Sequence, residues 1–431
     1  MSGQNPSGTG TPQTESLSTP VRKRSGQMST GAAVGIAVVL LIVGVAGGYV
    51  LGTSLNKSSS SSTVNLTETG SSLLYPLMKY YWGPNYTAYD SNVVLSTAST
   101  GSGTGQTDAE GADVNIGASD GYLTTASSYN LLNIPVAFSA QLIYYNLPVT
   151  ALETVHVNLN GEILALIYNG TISNWDNAMI QAANPAIASE LPNHAIVPII
   201  RKDSSGDTFL FSSLCQMSDK YWTYGVGTTA LAGTNWTEET GNTGMVSGVN
   251  ATPYSIAYIG ISYEASVTAE KNAAINYAAL GDNQSLTAPT VAANYVLPTP
   301  TDISNDANLA LQHLNFAADG LQLSLILGGS YAGPTTLTAG AGGTNASAGL
   351  PAYPLVNFEY AIVKTVPVSS AGSVVTPTTL AATVAFLEWA VSSGNYATTG
   401  GQSVWIGDVH FVPLTPTVVG YDLQELAQIQ P

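Results

Sequence analysis

The sequence predicts an α/β fold on three observations. From about residue 63 onward, short stretches rich in β-branched and aromatic residues alternate with stretches whose apolar residues recur at helical spacing. Three Gly/Ser-rich turns each stand directly ahead of a helical pattern. And 45% of the chain is hydrophobic, so that it can bury a sizeable core.

In chain order, Thr63 to Leu66 reads as a short strand, Leu73 to Tyr81 as a helix, and Val93 to Ser96, Val114 to Ile116 and Ala137 to Tyr145 as strands. Ile196 to Ile200 is a strand and Thr208 to Met217 a helix; Ile256 to Ile259 is a strand and Asp306 to Phe316 a helix. The Gly-, Ala-, Thr- and Pro-crowded stretch from Ala332 to Pro354 reads as a long loop. A strand, Val356 to Val363, and a helix, Thr379 to Ser392, follow it, and no internal repeat is present.

Composition narrows the function. The 431 residues suit about two domains. With 27 Asp and Glu against 10 Lys and Arg the formal charge is -17, which excludes nucleic acid as a natural partner. Charged residues are only 9% of the chain, against roughly a quarter in an average soluble protein, so neither a halophile-type surface nor a charge-rich disordered chain fits. The single cysteine, Cys215, cannot form an internal disulfide and falls on the apolar pattern of its helix, where it reads as a core residue. His156, His194, His313 and His410 are scattered, without metal-ligand spacing, and no Ser stands in a nucleophile elbow. No cofactor or metal is therefore implied, and the sequence does not read as an enzyme.

The N-terminus gives the address. Arg22, Lys23 and Arg24 precede an uncharged run from Ala32 to Leu51, which as a helix spans about 30 Å. A secretory signal has an apolar region of only about 7 to 15 residues, so the expectation is a retained anchor: residues 1–27 a cytoplasmic tail, 28–53 a transmembrane helix, 54–63 a Ser-rich tether, and the remainder outside the cell membrane. A cleaved signal of unusual length is the alternative. Sequons at Asn56, Asn65, Asn85, Asn169, Asn235, Asn250, Asn283 and Asn345 agree with a glycosylated ectodomain.

The three turns are Gly70 to Pro76, Gly101 to Gln106 and Asp203 to Thr208. A helix start offers unpaired N–H groups and the positive end of the helix dipole, and a Ser or Thr there adds a donor, so such turns suit an oxyanion; each is equally an ordinary N-cap. The third stands out because Arg201, two residues before it, is the only arginine after the membrane run. A guanidinium pairs with an oxyanion in a planar fork that Lys cannot reproduce. An Arg201–Asp203 ion pair is compatible with that role, the carboxylate orienting the guanidinium.

These residues resemble the phosphate-binding proteins that feed phosphate-specific ABC transporters. The resemblance is carried by G-S-S-x-x-Y-P-L (Gly70 to Leu77), S-x-G-S-G-x-G (Ser99 to Gly105), G-A-S-D (Gly117 to Asp120), I-P-V (Ile134 to Val136) with Y-N-L-P (Tyr145 to Pro148), the run from Leu159 to Trp175, and R-x-D-x-S-G (Arg201 to Gly206). It continues through Tyr353-Pro-Leu-Val and Phe386-Leu-Glu-Trp389, and so covers nearly everything from about Val64 to the end.

The resemblance implies a two-lobed periplasmic-binding-protein fold of type II with a two-stranded hinge. Lobe 1 would comprise residues 64–139 and 356–431 and lobe 2 residues 140–355, with hinges near Ala137 to Tyr145 and Leu355 to Ala361. Inorganic phosphate would be held between the lobes and passed to ABC permease subunits by a monomer. By position, Ser72 and the backbone N–H of Leu73, then Ser102, then Ser205 and Gly206 would bind from three helix starts, Arg201 would supply charge-assisted donors, and Asp120 would accept the phosphate proton that sulfate lacks. One departure stands out: the family's S-G-T reads Ser205-Gly206-Asp207-Thr208 here. Asp207 either points inward and accepts a second proton, favouring monobasic phosphate, or caps the helix from outside while Thr208 serves as donor. Binders of another tetrahedral oxyanion, such as arsenate or sulfate, and a surface sensor or adhesion protein using the same fold stay open as alternatives.

Overall fold

The computed structural model describes residues 63–218, 222–233, 236–269, 272–281, 285, 288–313, 352–392 and 405–431. All of them belong to one unit, Ser62–Pro431. The expected tail, membrane helix and tether, and most of the expected 332–354 loop, lie outside the described residues, among which no helix is long and apolar enough to cross a membrane.

Twelve strands are formed: β1 (Val64–Gly70), β2 (Val93–Ser99), β3 (Ile116–Ser119), β4 (Leu131–Asn146), β5 (Asn158–Asn160), β6 (Val197–Arg201), β7 (Thr237–Glu239), β8 (Ser255–Gly260), β9 (Ile275–Tyr277), β10 (Ala279–Gly281), β11 (Tyr295–Val296) and β12 (Val356–Lys364). Their main order is β2-β1-β3-β12-β4-β8-β6-β7, with β9 also on β4, and β11-β10-β5 forms a small separate sheet. β4 is shared. Its first part, Leu131 to Ala140, pairs antiparallel with β12, and its second, Gln141 to Tyr145, with β8. Every residue of β12 is buried, as in a strand covered on both faces, and Phe138 stacks on Phe358 across the pair.

On either side of this central pair the strands run parallel, β1 with β2 and β3, β6 with β7 and β8. Parallel strands need crossover helices, so the carboxyl end of a strand leads to a helix start. β2 leads into the helix Ser102–Gly111, β6 into Gly206–Ser218 and β7 into Gly241–Ala251. Away from those ends an aromatic cluster locks the Pro377–Val391 helix down, with Tyr86 against Phe386 and Trp389 at 5.1 Å each. Cys215 is a core residue, as expected, and Trp82 and Trp175 are buried in the core with it.

Several boundaries differ from the sequence reading, for local reasons. The helix expected from Leu73 begins at Tyr75, because the Leu73 and Leu74 amides donate to Ser71 Oγ in a turn. It then continues past Gly83 and Pro84 to Tyr89 through a π-helical stretch, Leu77–Trp82, with Pro84 at the first positions of the following α-helix, where its missing N–H costs nothing. The helix expected over Asp306 to Phe316 spans Pro300–His313, opened by Thr299 and Pro300. The strand expected from Val114 is displaced to Ile116–Ser119, since the Asn115 side chain accepts from the Thr67 amide and takes the ladder position.

Candidate functional site

Four helix starts and three strand ends, those of β1, β3 and β6, converge on one buried point. Gly70 closes β1 at φ 137°, where an added Cβ would lie 2.0 Å from Ala118 O, so only glycine lets the chain turn there. The Ser71 amide then donates to Ala118 O and the Ser71 hydroxyl to Asp120 Oδ1. Ser102 opens the second helix, and its Oγ accepts from the Asp120 amide at 3.2 Å. Across from these, Gly206 opens the third helix against Asp120: a Cβ on Gly206 would lie 2.5 Å from that of Asp120. The two sides are also tied by Gly103 N–H to Ser204 O at 3.1 Å and by Asn242, which donates to Ser72 Oγ from its amide N (3.2 Å) and its Nδ2 (2.9 Å).

Arg201, 1% exposed, sits at the centre of the cation side. Its Nε donates to Asp203 Oδ1 at 2.8 Å, its Nη2 to Asp203 Oδ2, and its Nη1 to Asp207 Oδ2 at 2.7 Å. Asp203 is held further by the Gly241 amide at 3.0 Å, the N-terminal donor of the fourth helix. Burial alone would push the Asp203 carboxyl up, but the hydrogen bonds and charge of Arg201 outweigh it and hold the group below the usual carboxylate range. For Arg201 the same pair works the other way: burial opposes the charge, and the two aspartates more than restore it.

The expected site residues are therefore brought together, and the Asp207 side chain takes the inward of its two expected orientations. Its carboxylate is fully buried and points inward, accepting from Arg201, from Asn242 Nδ2 at 2.8 Å and from Gln141 Nε2 at 2.9 Å. Capping from outside is not the conformation adopted. Thr208 turns its hydroxyl to that of Tyr258 at 2.9 Å, and the Leu73 amide is engaged by Ser71 at 3.1 Å. Ser205 Oγ is buried and has no hydrogen-bond partner among the described residues. A donor of this kind at a helix start is left for a ligand to satisfy.

Behind Asp120 lies a group the sequence reading did not find. Glu359, on β12, is completely buried; it accepts from Ser139 Oγ on β4 at 2.6 Å, and its other oxygen lies 3.4 Å from Ser71 Oγ, the hydroxyl that donates to Asp120. Burial, then the charge of Asp207, push the Asp120 carboxyl up to about 6, against the opposing hydrogen bonds of Glu359 and Ser71 and the charge of Arg201. Burial and the neighbouring Asp120 push Glu359 well above its ordinary value. Gln141, Asn242 and Tyr258 were missed as well. The signal available for Glu359 was a lone carboxylate inside a largely apolar strand, Val356 to Val363; for Asn242 it was only a fourth Gly-led helix start. Among the described residues no group of three or more His, Cys, Asp or Glu is arranged to hold a metal ion.

Comparison with known proteins gives the family and the likeness of fold. Residues 56–393 match the family model of the PBP superfamily domain. A phosphate-binding protein PstS of Methanocaldococcus jannaschii is 29% identical over 249 residues, 53% of this chain and 62% of that protein. The phosphate-binding protein PstS3 of Mycobacterium bovis is 30% identical over 294 residues, 64% of this chain and 77% of its own. With several of these curated relatives the match spans only about three fifths of their length. Among solved structures, the ancestral soluble variant of the human phosphate binding protein superposes with a TM-score of 0.58 at 19% identity, over 83% of this chain and 92% of that one, which is a likeness of fold.

Proposed function

The chain belongs to the PBP superfamily, and on that premise we propose that it captures inorganic phosphate between two lobes and delivers it to the permease subunits of an ABC transporter. The observation that carries the reading is the placement of a buried guanidinium and the unpartnered Ser205 hydroxyl on one side against Asp120 and the Ser102 helix start on the other. Donors on a convergent set of helix starts suit a tetrahedral oxyanion. A carboxylate among them suits one that carries a proton, and sulfate would leave Asp120 facing a bare oxygen, a penalty that can reach roughly 10⁴-fold. Nothing in the set resembles a nucleophile with its base, so the reading is of binding rather than catalysis.

The lobes proposed here are residues 64–139 with 356–431, and 140–355. Support comes from β4 and β12: β4 changes partners at Ala140/Gln141, so bending there and near Leu355 moves β8, β6 and β7 relative to β1, β2 and β3. The domain would work outside the cytoplasm, held by the apolar run of residues 32–51 and lent a high local concentration above its permease by the tether. Calorimetric titration with phosphate and sulfate tests the reading. Tight phosphate binding that is lost in Arg201→Ala, with sulfate admitted only by Asp120→Asn, is the expected result. Absence of phosphate binding at any pH from acid to neutral would remove it.

A further inference from the structure

The anion site holds more carboxyl groups than an anion site can tolerate in ionised form. Asp203 and Arg201 compensate one another, which leaves Asp120, Asp207 and Glu359 buried together. A hydrogen bond between two carboxyl groups requires a proton, because an ionised carboxylate only accepts. Asp120 and Glu359 meet at one hydroxyl, since Ser71 Oγ donates to Asp120 Oδ1 and lies against Glu359 Oε2, and two carboxyls buried side by side in this way keep one proton between them. Ser71 cannot supply it: its hydroxyl has a single hydrogen, which lies on Asp120 Oδ1, with Glu359 Oε2 farther off at 3.4 Å.

We propose that Glu359 is the proton-holding positioning residue of this site, a neutral acid that donates to Asp120 and keeps it an oriented acceptor without a second negative charge behind it. The proposal rests on the phosphate-capture reading. It places the proton on Glu359 because the ligand side of Asp120 must be free to accept, and because Ser139 holds the other Glu359 oxygen in place at 2.6 Å. Glu359 sits on the hinge strand, paired with Ala137 next to the register shift at Glu359/Tyr360, so its contact with Asp120 joins the hinge to the site. The groups that act on it from the surrounding elements are Ser71 from the turn after β1, Ser139 from β4, Asp120 from the end of β3 and Asp207 from the third helix start, with Arg201 the cation on the far side. Burial and these like charges all oppose its ionisation. Once Glu359 does ionise, its charge faces Asp120 and the bound anion together.

The test uses the full chain, the isosteric Glu359→Gln, which still donates but cannot ionise, and Glu359→Leu, which cannot donate. Phosphate affinity is measured by calorimetry from pH 5 to pH 8.5. Ionisation of phosphate itself is common to all three proteins and cancels in their ratio. In acid, Glu359→Gln is expected to bind within about threefold of wild type, and above the ionisation of the pair the wild type falls behind by up to tenfold per pH unit. Glu359→Leu is expected to bind at least tenfold more weakly throughout, so that Gln rescues what Leu loses. In the infrared difference spectrum of wild type minus Glu359→Gln, taken near neutral pH without added phosphate, the band of one protonated carboxylic acid is expected to remain after those of Glu68 and Asp422, common to both proteins, cancel; this is the spectroscopic counterpart and does not depend on ligand. A Glu359→Gln variant that binds as weakly as Glu359→Leu in acid, or the absence of that difference band, overturns the role of Glu359 while leaving phosphate capture standing. If the wild type binds no phosphate at any pH, the functional reading fails, and the role assigned to Glu359 falls with it.

Discussion

Glu68 offers a test of how this protein manages buried acid. It lies on β1 on the same face as Leu66 and Gly70, is 1% exposed, and neither of its carboxyl oxygens has a hydrogen-bond partner among the described residues. Burial pushes it up from 4.5 to about 8. Below pH 4.5 both the folded and the unfolded chain carry the proton, so the stability tied to the neutral group is fully present in acid. As pH rises, the unfolded chain releases its proton near 4.5 while the folded one keeps it, which costs about 1.4 kcal/mol per pH unit. Between pH 4.5 and pH 7 the loss amounts to about 3 kcal/mol, and it levels off above the folded value of about 8. Glu68→Gln keeps the shape and removes the titration. Urea unfolding at pH 4, 5.5 and 7 is expected to show the two proteins within about 1 kcal/mol in acid and the variant more stable by about 2 to 3 kcal/mol at neutral pH. Parallel stability curves for the two proteins would refute the claim that Glu68 is buried as a neutral acid.

Three further outcomes follow from the site. Arg201→Lys, which cannot reproduce the fork to Asp203 while reaching Asp207, is expected to abolish measurable phosphate binding and to lower unfolding free energy by about 3 kcal/mol, because buried carboxylates lose their partner; a variant with wild-type affinity would remove Arg201 from the site. Gly206→Ala brings a Cβ to 2.5 Å from that of Asp120 and 2.6 Å from its Oδ2, so phosphate affinity should fall at least tenfold while circular dichroism stays unchanged, and unchanged binding would show that the helix start and Asp120 are not in contact. Asp207→Thr takes a carboxylate away from Arg201 and Asn242, and its phosphate affinity is expected to exceed that of the wild type increasingly toward alkaline pH; profiles that run parallel would mean that Asp207 has no part in choosing the ionic form of the ligand.

How far the sequence could be read depends on which forces acted locally. Strands with β-branched runs, such as Val197–Arg201 and Val356–Lys364, were legible because their apolar pattern and their place in the core say the same thing. The helix through Gly83 and Pro84 was not, because those residues act there at the first positions of a new helical segment rather than as a stop. In the site, Arg201, Asp203, Ser205 and Gly206 were legible as one contiguous motif whose donors share a turn. Glu359, Gln141 and Asn242 were not: each lies far from that motif in the chain, and what makes them members is the pairing of β4 with β12 and with β8 and the approach of the Gly241–Ala251 helix to Ser72. Contacts at such sequence separations leave no spacing to count.

The core and the site draw on one physical principle, and that links the composition to the mechanism. A chain with so few charges has placed several carboxyls where they are costly to ionise: Glu68 under β1, Asp422 with neither oxygen partnered among the described residues, and Glu359 behind Asp120. Asp422 and Glu359 are both pushed well above their ordinary values, by burial first. A group shifted upward on folding stabilises most strongly in acid, and its contribution declines as pH rises, so these residues tilt the fold the same way. The site tilts with them, since Asp120 can present an acceptor to a protonated anion only while Glu359 keeps its proton. Stability and capture should thus weaken together as the medium turns alkaline. Because the groups responsible lie on separate elements, the two effects can be separated: Glu68→Gln is expected to restore neutral-pH stability without changing the pH profile of phosphate binding, and Glu359→Gln to flatten that profile. A Glu68→Gln variant whose binding profile shifted with its stability would show that both arise from partial unfolding rather than from protons held in the site.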